Sequence, residues 1–129
     1  MVKVVVAGQN RQKFKAVEKT LKQHPMEIVW APTGMEALNL VSDARDRGKA
    51  VDLLITDETL ADMTGRDLVG QVIMKSPVTN CAAVSTLSSD QFHEAYEGLG
   101  VLMQLPLEPD AESGKKLVSV MKKLNILKP

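Results

Sequence analysis

Asp57 carries the most suggestive chemistry in this sequence. It follows the run "LLIT", in which Leu53, Leu54 and Ile55 lead into Thr56, and it opens a polar loop, "ETLADMTG", that ends at Gly65. A short apolar run of this kind fits a buried strand, and the carboxyl ends of parallel strands are where an open α/β sheet presents its reactive groups. The plainer alternative is a polar residue that closes a strand and solvates a loop. Ser85 and Thr86 end a second such run, "CAAVST", with two hydroxyls that serve equally well as loop hydrogen-bonders. Gly8 and Gln9 follow a third run, "VVVA". A glycine there permits close backbone approach, but it is no dinucleotide fingerprint.

Other reactive types are thinly spread. His24 and His93 have no Cys or His at zinc-ligand spacing, so the sequence offers no metal cluster. "SGKK" at 113–116 lacks the upstream glycine and the following hydroxyl of a phosphate loop and reads as helix surface. The single cysteine, Cys81, lies in an apolar run and reads as buried filler. Trp30 and the seven methionines read as packing. No nucleophile has an assignable base, so turnover as an enzyme is not expected.

Bulk properties narrow the setting. A chain of 129 residues fits one domain, 1–129, able to bury a core without staples. Sixteen basic residues balance sixteen acidic ones, which removes the electrostatic case for direct nucleic-acid binding. No apolar run nears the roughly eighteen residues of a membrane span, and "VVVAG" is too short for a signal peptide. The expected location is the cytoplasm.

The elements that must position Asp57 alternate. Val2 to Ala7 reads as a central strand, and Arg11 to Gln23 as an amphipathic helix with Phe14, Val17 and Leu21 inward. Glu18 and Lys22 pair on its outer side, and its lysines form the solvated face. "MEIVWA" is a second strand. Thr33 and Glu36 have capping-box spacing for a helix with Leu38, Val41 and Arg45 in register, which ends near Gly48 before the strand "VDLLIT" at 51–56. Thr64 and Asp67 start a third helix, with Leu68, Val72 and Ile73 inward, and "CAAVST" at 81–86 is the fourth strand. Ser88 and Gln91 cap a fourth helix carrying Phe92, Ala95 and Tyr96. "VLMQL" at 101–105 is the last strand, and Asp110 caps a final helix in which Leu117, Val120, Met121 and Leu124 are spaced i, i+3, i+4, i+7. Five strands alternating with five helices imply a doubly wound parallel sheet with helices on both faces. Three loops, "GQN", "DETLADMTG" and "STLSS", then converge at its carboxyl edge.

With these pieces in place, the chain resembles a response-regulator receiver domain, the phosphoryl-accepting module of two-component signalling, over essentially its whole length. The motif that carries the likeness is "DLLITDETLADMTGRDL", with Asp57 as phosphoacceptor and Gly65 opening the next helix. Ser85 stands at the phosphoryl-sensing hydroxyl, and Pro106 follows the last strand as in the family. The resemblance implies a flavodoxin-like strand order, 2-1-3-4-5. It also implies an output surface formed by the last strand and the last two helices.

Five positions depart from the family. Gly8 and Gln9 replace an acidic pair that holds Mg²⁺, and Leu105 replaces a lysine before Pro106. Ala61 stands where proline is common, and Leu102 where an aromatic often lies. Mg²⁺ is usually held by carboxylates together with phosphate oxygens, so Asp57 beside a neutral amide binds it weakly or not at all. Glu58 is no replacement ligand, since successive side chains of an extended segment diverge. Losing one preorganised charge contact costs roughly 3 kcal/mol of transition-state stabilisation, about a hundredfold in rate. The sequence therefore reads as an atypical stand-alone receiver that signals through a protein partner, a histidine kinase or a downstream effector, with little or no Mg²⁺-dependent phosphorylation. The alternatives are a working receiver phosphorylated on Asp57 and a small-molecule or nucleotide binder using the same crevice.

Overall fold

Strand β1 (Val2–Ala7) runs through the middle of the molecule, and its last four residues are fully buried. The computed structural model describes residues 1–128. The other strands are β2 (Met26–Ala31), β3 (Leu53–Thr56), β4 (Asn80–Val84) and β5 (Val101–Leu105). The helices are α1 (Lys15–Leu21), α2 (Gly34–Asp46), α3 (Gly65–Lys75), α4 (Ser89–Ala95) and α5 (Ala111–Lys123). All strand pairs are parallel and the order is β2-β1-β3-β4-β5, as the alternation and the resemblance lead one to expect.

Side chains alternate between the two faces of this sheet, as the two-residue strand period requires. Val5, Ala7, Leu54, Cys81 and Ala83 pack under α2, α3 and α4, against Val41, Leu68, Val72 and Phe92. Val4, Val6, Leu53, Ile55 and Leu105 pack under α1 and α5, against Phe14, Leu21, Leu117 and Met121. The register aligns Ala7 with Thr56 and Thr56 with Ala83, so the chain leaves β1, β3 and β4 at one level. Gly8, Asp57 and Ser85 are thereby gathered at one edge.

The caps follow the sequence with one difference. Ser88 with Gln91 is a reciprocal capping box, as is Asp110 with Ser113. Thr64 accepts from the Asp67 amide. Thr33 accepts from the Glu36 amide without the reciprocal bond, so that box is half formed.

Several boundaries and faces differ from expectation. The first helix opens as a 3₁₀ turn, Arg11–Phe14, before α1 begins. Strand β3 starts at Leu53, and β4 ends at Val84, which leaves Ser85 and Thr86 in the loop. Arg45 is exposed and donates to the Lys75 carbonyl at 2.7 Å. On α5 the buried residues are Ser113, Gly114, Leu117, Val118 and Met121, while Leu124 lies beyond the helix and is exposed. The cause is close packing on α1, where a Cβ on Gly114 would lie 2.8 Å from Thr20 Cβ. Half of "SGKK" is thus core, and Lys115 and Lys116 alone are exposed.

Candidate functional site

Asp57 leaves β3 where the strand order reverses, and its amide donates to the Ala7 carbonyl at 2.9 Å, extending the ladder by one residue. The residue is 8% exposed. Its Oδ1 accepts the Glu58 amide at 2.7 Å and the Lys13 ammonium at 2.8 Å. Among the described residues Oδ2 accepts no hydrogen bond, and no buried side-chain oxygen lacks a partner, so Oδ2 reaches solvent. Asp57 is therefore half engaged and half open.

Lys13 corrects the expectation that the lysines of the first helix are all solvated. It belongs to the 3₁₀ turn, whose tighter winding breaks the α-helical phase on which that reading relied. Asn10 starts the turn by accepting the Gln12 amide at 3.1 Å. Arg11 fastens it by donating to Glu18 at 3.3 and 3.4 Å. Glu18 is buried by this contact, which replaces the expected Glu18–Lys22 pair. The Lys13 and Asp57 side chains are only 18% and 11% exposed, so water screens their attraction less than at an open surface.

The two positions of the family's acidic pair are occupied in other ways. A Cβ on Gly8 would lie 3.1 Å from both Phe14 Cε2 and Trp30 Cη2 and 3.5 Å from Asp57 Cβ. The space beside Gly8 is taken by two aromatic rings whose centroids are 6.2 Å apart. Gln9 is exposed and donates to the Thr59 carbonyl at 3.4 Å. Leu105 is fully buried in the core under α1 and α5 rather than projecting into the crevice. Burying a side chain of that size contributes about 2 kcal/mol.

Glu58 turns away from Asp57 toward the next strand. Its Oε2 accepts the Thr86 amide at 2.7 Å, and both carboxylate oxygens lie 3.0–3.1 Å from the Thr86 hydroxyl. Ser85 is buried and its Oγ accepts the Leu87 amide at 3.1 Å. Gln104 of β5 donates to the Ser85 and Leu87 carbonyls at 3.2 and 2.7 Å.

The loop between Asp57 and Gly65 is pinned at both ends. Asp62 accepts the Gly34 and Met35 amides at 2.8 and 3.0 Å, at the start of α2. These bonds, Gly34's being the larger influence, hold its carboxyl below the usual value. At the other end a Cβ on Gly65 would collide with the Asp57 carbonyl oxygen, so only glycine fits without moving backbone. Lys13, Asp62 and Gln104 went unread in the sequence as site residues, and Glu58 was weighed there only as a metal ligand and set aside. Only Lys13 left a sequence signal, the Asn10 cap three residues before it.

No family model matches the sequence, and no curated protein does. The solved structures supply the comparison. The chemotaxis protein CheY4 of Vibrio cholerae is 26% identical, covers 92% of this chain and 97% of its own, and superposes with a TM-score of 0.75. This chain has the receiver fold. The REC domain of AraT, a response regulator from Geobacillus stearothermophilus, is 24% identical over 97% of both chains with a TM-score of 0.79. A response regulator receiver domain protein from Clostridium thermocellum is 13% identical over 98% of both chains, at 0.75. At the lower identities the likeness is one of fold alone. Among the described residues no helix is long and apolar enough to cross a membrane. No group of three or more His, Cys, Asp or Glu among them is placed to hold a metal ion.

Proposed function

We propose that this chain is an atypical receiver of two-component signalling that works by binding a protein partner, with Lys13 standing where a divalent cation would otherwise neutralise Asp57. The observation that carries this reading is the 2.8 Å ion pair between Lys13 and Asp57. A divalent cation at Asp57 would sit beside an ammonium already held on Oδ1, and it would find aromatic rings beside Gly8 in place of a second carboxylate. Glu58 is already bound to Thr86. Such a donor set does not fit Mg²⁺, which is usually held through one or two carboxylates together with phosphate oxygens. The partner is a histidine kinase or a downstream effector met in the cytoplasm, and neither DNA nor a membrane is required. Turnover is not part of this role.

The test is intact-mass analysis after incubation with acetyl phosphate and Mg²⁺. The expected result is little or no phosphoryl adduct. Ready, stoichiometric phosphorylation that disappears in Asp57→Asn would overturn the reading.

The solvent-facing Oδ2 of Asp57 favours one second reading, a working phosphoacceptor whose local cation is Lys13. That reading expects an adduct indifferent to a chelator and lost in Lys13→Met.

A further inference from the structure

Glu58 occupies a position that the proposed role does not use. Its carboxylate lies between the ends of two strands and is held by one backbone N–H and one hydroxyl, both from Thr86. The loop it grips leads straight to the Ser88 cap of α4, and Gln104 of β5 grips the same loop from the other side. Between α4 and β5 lies a groove of about 650 Å³, lined by Phe92, Tyr96, Val101, Met103 and Gln104 among others. One wall of that groove is therefore tied, through Thr86 and Leu87, to a carboxylate that follows Asp57 directly. Glu58 also acts on the groove across space, since its charge adds to the burial that raises the Tyr96 phenol above its usual value.

We propose that Glu58 is a resident anion that holds the β4–α4 connection, and with it the α4–β5 groove, in one arrangement whether or not Asp57 is modified. Ser85 fits this account, because its oxygen already accepts the Leu87 amide within the held loop. The consequence for signalling rests on the receiver reading given above. The clamp itself does not, and it is tested without any phosphoryl donor.

The experiment is amide NMR on the full chain and on three variants, Glu58→Ala, Glu58→Gln and Thr86→Val. In Glu58→Ala the Thr86 amide is expected to exchange about tenfold faster, the worth of one charge-assisted hydrogen bond. The amides of Gly98, Gly100 and residues 101–104 are expected to shift with it. Glu58→Gln keeps a carbonyl acceptor and should move the same signals less. Thr86→Val keeps the N–H, loses the hydroxyl, and guards against loss of fold in the first variant. Unmoved core amides of Val4, Val5 and Val6 show that the fold is intact. The proposal is overturned if the Thr86 amide responds while the groove amides keep their wild-type positions, or if neither responds. An adduct appearing with acetyl phosphate bears on the receiver reading alone, so the two failures are distinguishable.

Discussion

The Lys13 ammonium and Oδ1 of Asp57 lie 2.8 Å apart, joined across 44 residues of sequence by the convergence of the 3₁₀ turn and β3. A partly buried pair of this kind is weak evidence for net stability, yet removing one partner is costly because the other is left uncompensated. Lys13→Met is expected to lower the unfolding free energy by about 2 kcal/mol. A double-mutant cycle with Asp57→Asn should return a coupling of about 1–3 kcal/mol, measured by urea unfolding. Trp30 provides a second readout, being the only tryptophan and packed against Phe14 beside Gly8 and Asp57. Its fluorescence should not respond to Mg²⁺ in wild type, nor in Lys13→Met, because no carboxylate is gained at Gly8. A saturable response in wild type would contradict the tethered-cation account.

Gly65 and Gly70 form a matched pair within α3. A Cβ on Gly65 meets the Asp57 carbonyl, a backbone atom that cannot rotate away, whereas a Cβ on Gly70 meets nothing within 4 Å. Gly65→Ala should therefore cost about 2 kcal/mol or more through overpacking. Gly70→Ala should gain roughly 0.5–1 kcal/mol by restricting the unfolded chain and favouring helix. Opposite signs in urea melts are the expected result. Equal effects would mean that the approach of α3 to Asp57 is looser than the geometry requires.

Cys81 is buried in β4, and burial pushes its thiol up to about 12 from an ordinary value of 9.0. The thiolate is the reactive form, so a disulfide reagent should label it only through opening of the sheet. Labelling of the native chain should be at least about a thousandfold slower than in urea-unfolded chain. A group raised on folding contributes stability that is complete below its unfolded value and is lost as pH climbs through the folded one. The melting temperature should thus fall between about pH 9 and 12, less steeply in Cys81→Ala. Tyr96 titrates in the same alkaline range, so the slope should flatten rather than vanish.

How far the sequence could be read is decided by the range of the interactions involved. Strand and helix identities came from local patterns, and the caps at Thr64, Ser88 and Asp110 are bonds between residues three apart. The position of Asp57 at the carboxyl end of a parallel strand followed from alternation, and the strand order that makes it a reversal point came from the family resemblance. What surrounds Asp57 did not. Lys13 and Glu58 reach partners 44 and 28 residues away, and such pairings leave no local spacing to recognise. The family pattern pointed toward missing charges at Gly8, Gln9 and Leu105, and it could not show that a cation had been supplied from the neighbouring turn. On α5 the buried Leu117 and Met121 were legible in the spacing, but Ser113, Gly114 and Val118 were not, because the contact of Gly114 with Thr20 sets the helix's rotation.

Tyr96 gives an electrostatic readout of Glu58 that does not depend on the amide signal of Thr86. Tyr96 is 8% exposed as a residue, and its ring stacks on Phe92 with centroids 4.4 Å apart. Burial is the larger cause of its raised pKa and the Glu58 carboxylate the next, while Arg66 pulls the other way. Glu58→Gln should therefore lower the Tyr96 pKa and still leave it above 10.0, because burial remains. As the only tyrosine, Tyr96 can be followed by ultraviolet absorbance of the phenolate. Its raised value means that stability is held below about 10 and lost as pH rises through the folded value, so the variant should lose less of its own stability over that range. An unchanged Tyr96 titration in Glu58→Gln would place the carboxylate away from the α4–β5 groove and remove the electrostatic half of the coupling between them.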